Sequence, residues 1–150
     1  MWRRYHQLQP AWRELRVATR HSINLAGGIS TPIEVRVTQI ESDIYDGILS
    51  VHPFLNPEVR ELSLAEALKT APTDEDAAVI ADAAVPAHAI VMWTRHAADQ
   101  TDPPVQPAGD GPLLVSANST PGLVRLSQAL SRSGIVRAAR EAAVLESSAR

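Results

Sequence analysis

The sequence predicts an all-α fold: a single-domain antiparallel helical bundle of about five to six helices, with a Pro/Gly-rich loop near 100–119. Three observations predict it. Ile33, Val37, Ile40, Ile44, Ile48 and Val51 recur at spacings of three and four; at about 100° per residue they fall within an arc of roughly 80°. Alanine dominates the apolar residues while aromatics make up only 4%, which favours close-packed helices over an aromatic-rich sheet. Thr31-Pro32, Asn56-Pro57 and Thr120-Pro121 each read as an N-cap followed by proline, which suits the first helical position because its missing N–H has no partner there.

Residues 2–20 read as a helix interrupted at Pro10, with Leu8, Trp12 and Leu15 forming a narrow apolar stripe. Trp2 and Tyr5 interleave with Arg3 and Arg4. That pattern fits either a solvated surface helix or a juxtamembrane segment, since aromatics favour the interface and arginines the cytoplasmic side. His21 to Ser30 connects this segment to the next helix through Gly27-Gly28. With no Gly-Lys-Ser/Thr and no preceding strand, it is read as a turn and not a phosphate cradle.

The stretch Thr31–Pro53 is expected to organise the chain. Thr31 and Glu34 have capping-box spacing, and His52-Pro53 ends the helix. Its six aliphatic side chains supply on the order of 10 kcal/mol of gross burial. Arg36, Asp43 and Gly47 share one flank, with Gln39 and Asp46 slightly further round. Glycine costs about 1 kcal/mol against alanine inside a helix, so Gly47 implies a close approach by another backbone. Arg36 and Asp43 read as an exposed polar row or as a partly buried network that sets helix packing.

A third helix runs from Asn56 to about Thr70, with Val59, Leu62, Ala65 and Leu68 as its apolar side. Thr73 caps a fourth helix to about Asp99. Asp74, Glu75 and Asp76 complement the positive helix end there; consecutive residues do not converge on a metal ion. Its stripe is Ile80, Ala83, Ala84, Ala87, Ile90, Val91 and Ala98, expected to lie close against the organising helix and to bend at Pro86. His88 and His96 are eight apart and form no zinc pair, so they are expected at the surface or rim. Residues 100–119 form the irregular stretch, in which Leu113–Val115 is a candidate extended piece and Ser116 and Ser119 have no nucleophile context. The fifth helix begins at Thr120-Pro121 and carries Leu123, Leu126 and Leu130. After Ser133-Gly134 a last helix carries Val136, Ala139, Ala143 and Val144.

Composition bounds the function. There is no cysteine, hence no disulfide, thiol nucleophile or zinc–thiolate site. The longest unbroken apolar run, around Ala89 to Trp93, is too short to span a bilayer, and no apolar stretch follows the basic start as a signal peptide requires. The net charge of −3 is unevenly spread: residues 1–20 are +4, 21–110 are −10 and 111–150 are +3. The acidic middle argues against nucleic acid as a partner; only the arginines Arg125, Arg132, Arg137 and Arg140 could serve a DNA-binding helix. No catalytic constellation, metal set or cofactor motif is visible, so neither metal nor cofactor is expected. A non-enzymatic interaction or regulatory module is the leading expectation. An enzyme built on Arg36, Asp43 and Asp46 with His52 and His88 is the alternative, tested by whether they share one pocket.

RRYHQLQPAWREL, then EVRVTQIESDIYDGILSVHPFLNPEVR, then an Asp/Glu-led alanine-rich helix, resembles the soluble C-terminal domain of an actinobacterial family of multi-pass membrane proteins described as transporters. That family's pattern has Leu-x-Pro-Leu-Trp, a helix with Arg, an acidic residue and Asp-Gly, then Arg-Pro-Tyr. Leu8, Pro10 and Trp12 match the first part; Arg36, Asp43, Asp46 and Gly47 the second; His52, Pro53 and Phe54 the third. Ala11, Asp43 and His52 depart from the usual leucine, glutamate and arginine. The likeness covers about residues 2–100. It implies a structural or interaction role for Pro10, Trp12, Arg36, Asp43, Asp46, Gly47 and Pro53, and a cytoplasmic, membrane-apposed position with a protein partner. It also implies that residues 1–20 are a basic juxtamembrane-like segment in weak contact with anionic membrane, ahead of a helical core at 21–99, a loop at 100–119 and C-terminal helices at 120–148.

Overall fold

The computed structural model describes residues 1–18, 30–99 and 119–149. The expectations for Gly27-Gly28, Leu113–Val115, Ser116 and the loop at 100–118 lie outside them. The described residues form an all-α bundle with no strand: α1 (Trp2–Leu15), α2 (Ile33–Val51), a 3-10 turn (His52–Phe54), α3 (Pro57–Thr70), α4 (Asp74–Asp99), α5 (Thr120–Arg132) and α6 (Gly134–Ser148).

The cap-and-proline reading holds in part. Asn56 Oδ1 accepts from Glu58 N–H at 2.9 Å, with Pro57 opening α3. Thr73 Oγ1 accepts from Asp76 N–H at 3.0 Å, capping α4, and donates to the Asp76 carboxylate at 2.8 Å. At α5 the cap is Ser119, one residue earlier than expected, accepting from Gly122 N–H at 3.2 Å. Thr31 does not cap α2. Pro32, in an extended conformation, occupies the cap position without a side-chain bond, and Glu34 is left to complement the helix dipole.

The centre of the bundle is α4, not α2. From Ala81 to Ile90 every residue of α4 is buried, on all sides of the helix. It packs chiefly against α3 and α6, then α5, and touches α1, α2 and the 3-10 turn as well. The expected close packing of α4 on α2 is therefore a minor contact. Alanine explains the central position: its small side chain lets several helices approach one axis at once. By length and composition α4 could also cross a membrane, contrary to the reading from its unbroken apolar run. Two-thirds of its apolar window (67%) is buried against the other helices, which accounts for that character. The helix runs on through Pro86.

Two further expectations change. The core-facing side of α3 is Ser63 and Ala67 with Val59 half-buried, while Leu62 and Leu68 are 69% and 51% exposed. Spacings of three drift around a helix, so a Leu62–Ala65–Leu68 row cannot stay on one seam. The helix α1 is continuous through Pro10. It also packs into the core: Leu8, Ala11 and Leu15 are fully buried and Ala18 nearly so.

Candidate functional site

The residues singled out in α1 and α2 meet along one seam. Trp12 Nε1–H donates to Asp43 Oδ2 at 2.9 Å, and Gln39 Nε2 donates to Asp43 Oδ1 at 3.1 Å. Both carboxylate oxygens are thus used by side chains on the two helices. The Arg16 guanidinium lies over the Trp12 ring, 4.9 Å from its centroid. One turn beyond Asp43, Gly47 is buried against the end of α1. Near the other end of α1, Arg4 pairs with Glu41. Glu41 and, more strongly, partial burial raise the phenol pKa of Tyr45.

The seam holds α1 to α2. Arg36 is half-buried, Asp46 is exposed, and Pro53 sits half-buried in the 3-10 turn beside the buried Phe54. The Phe54 ring packs on His96 at 4.9 Å. Arg36, Asp43, Asp46 and His52 do not line the trough described below. The basic residues considered for DNA are partly committed: Arg125 pairs with Glu75 and Asp76 on α4, and Arg140 makes a bidentate pair with Glu14 at 2.8 Å.

A concave site lies on the opposite side of α4. There α3 and α6 each pack on α4 but only lightly on each other, leaving a trough of about 310 Å³ between them. Val59, Leu62 and Ser63 of α3 form one wall; Ile135, Ala138, Ala139 and Ala142 of α6 form the other. Asn56, Glu58, Glu66 and Glu146 complete the lining, and His88 of α4 forms the floor. His88 is 4% exposed, which corrects the expectation of a surface histidine. Its Nε2 lies 3.2 Å from Glu146 Oε2, and its Nδ1 has no hydrogen-bond partner among the described residues. Beneath α3, Asp82 is fully buried and accepts from Arg60 Nε at 2.7 Å.

Sequence reasoning placed Gln39, Asp43 and Gly47 on one flank of α2 but did not pair that flank with α1, and it missed the trough. His88 was legible as a histidine in an alanine-rich helix. Nothing local showed that the helix would be buried all round, or that α3 and α6 would stand apart above it. Among the described residues no three histidine or acidic side chains are grouped to hold a metal ion.

These features define a small all-α domain that carries, among its described residues, an apolar trough with an acidic rim. The chain belongs to the family of unknown function DUF6545, which matches residues 1–133. The α6 wall of the trough lies beyond the matched residues. No curated protein and no solved structure matches the chain.

Proposed function

We propose that this domain is a non-enzymatic interaction or regulatory module, cytoplasmic and membrane-apposed, with the α3–α6 trough as its contact surface. The observation that carries this reading is the trough itself: apolar walls open to solvent and few polar groups, the common make-up of a binding pocket. Leu62 and Leu49 provide a matched test, since they are 69% and 68% exposed and only Leu62 lines the trough. A photo-crosslinking residue at position 62, introduced in the native host, is expected to yield a discrete adduct that position 49 does not. Equal labelling at both positions, or none at 62, sinks the reading.

The resemblance to domains that follow membrane helices supports the membrane-apposed placement. The contact it implies is weak. Arg4 is held by Glu41, while Trp2, Arg3, Arg13 and Arg16 are exposed. Each basic residue near an anionic surface contributes about 1 kcal/mol. Co-sedimentation with phosphatidylserine vesicles is expected to be slight and to vanish at high salt. Arg3→Gln/Arg13→Gln binding as well as wild type removes the contact.

A further inference from the structure

We infer that the trough receives an amphipathic helix of a partner protein, with apolar anchors on one face and basic residues on its flanks. This rests on the trough being a contact surface and names what fills it. Its lining runs from Asn56 to Glu66 on α3 and from Ile135 to Glu146 on α6. At 1.5 Å per residue both walls are about 15 Å long, the length of three helical turns. Three turns present anchors at i, i+3 or i+4, and i+7, the pattern by which helices dock into grooves.

The walls match such an occupant. Ala138, Ala139 and Ala142 leave the α6 side shallow, so a helix can lie close and insert larger aliphatic side chains against Val59, Leu62 and Ile135. The charge selects its flanks. Glu58, Glu66 and Glu146 are the charged residues of the lining, with no lysine or arginine among them. Glu66 is shared with Lys69 in an exposed pair at 2.7 Å, a kind of pair worth little and readily exchanged. Complementary charge steers encounter and rejects like-charged partners, so basic flanks are favoured and acidic ones excluded.

The test uses the full chain and three stapled helical peptides with identical leucine anchors and lysine, glutamate or serine flanks, read by fluorescence anisotropy and mapped by NMR. The lysine peptide is expected to bind about tenfold or more tightly than the glutamate peptide, a preference that shrinks with salt. Glu146→Gln keeps an acceptor for His88 and is expected to weaken the lysine peptide severalfold without changing Tm; Glu58→Gln acts likewise. Ala138→Trp fills the trough and abolishes binding while the domain stays folded by circular dichroism. Equal binding of lysine and glutamate peptides overturns the basic-flank assignment but leaves the contact surface intact. Failure of all three peptides while position 62 still crosslinks overturns the helical occupant. Loss of both overturns the contact-surface reading too. Self-association removed by Ala138→Trp makes a second copy the occupant and overturns a separate partner.

Discussion

Gly47 and Leu15 sit so close that a Cβ built on Gly47 would lie 2.6 Å from the Leu15 Cβ. That is well inside van der Waals contact, and the Leu15 carbonyl oxygen would stand at 3.1 Å. The neighbour is main chain and Cβ, not the flexible end of a side chain, so α1 must move as a unit to make room. The missing side chain at position 47 sets the spacing of the α1–α2 seam and so the alignment of Trp12 with Asp43.

Gly47→Ala is therefore expected to destabilise despite alanine's better helix propensity. Overpacking costs about 1–3 kcal/mol and the propensity gain returns about 1 kcal/mol. Gly47→Leu is expected to cost more. Urea denaturation of the two variants checks the order. Melting at or above the wild-type temperature in both would show that the seam relaxes freely.

Ser127 of α5 meets α1 at the residue after Pro10. Proline within a helix lacks its own N–H and its ring pushes on the carbonyl four residues back. Ala11, the next residue, donates its buried N–H to Ser127 Oγ of α5 at 3.1 Å. Ser127→Ala is expected to cost about 1–3 kcal/mol by taking the side-chain acceptor from that buried N–H. In a Pro10→Ala background the regular helix ladder can re-form, so the cost of Ser127→Ala should fall. A double-mutant cycle in urea measures the coupling; additive effects would mean the two positions act separately.

Arg60 and Asp82 make the ion pair that joins α3 to α4, with Asp82 fully buried. Removing only the cation takes a charge-assisted hydrogen bond from a buried carboxylate. Arg60→Met is expected to destabilise by about 3–5 kcal/mol, and Arg60→Met/Asp82→Leu to recover much of that loss. Equilibrium denaturation of both variants decides it. A mild effect from Arg60→Met alone would show that the remaining neighbours of Asp82 hold its charge.

Thr73 first, and then Arg125, hold the Asp76 carboxyl below its ordinary pKa of 3.8. The folded state then binds fewer protons than the unfolded state, so the contribution of this group to stability is complete above about pH 4. It is lost as pH falls through the lower folded value. Arg125→Gln is expected to melt below wild type at neutral pH, with the gap narrowing under acid. Carboxyl-detected NMR should show the Asp76 titration moving up in Arg125→Gln and in Thr73→Val. No movement in either would refute the stated cause.

The α2 side of the α1–α2 seam was legible in the sequence because its parts are local. Helical spacing places Gln39, Asp43 and Gly47 on one flank, and an unexplained helical glycine implies a close neighbour. Which backbone came close, and that Trp12 would be the donor to Asp43, required the packing of two helices. The trough was not legible. Its walls are separated by more than sixty positions, and Leu62, read as core, is among the most exposed leucines of the bundle.

Helix type, approximate bounds and the α2 core face follow from periodicity and capping, which act within a few residues and need no partner. Which helix would be central did not follow. A strong hydrophobic stripe, as in α2, marks a helix with one buried face and one wet face. A helix buried on every side, as α4 is from Ala81 to Ile90, needs small apolar residues all round and shows a weak stripe. Contrast between faces is what sequence periodicity measures, so it points to the helix at the edge of the core. Only the tertiary packing reveals the one in the middle, and with it the burial of Asp82 and His88 and the trough above them.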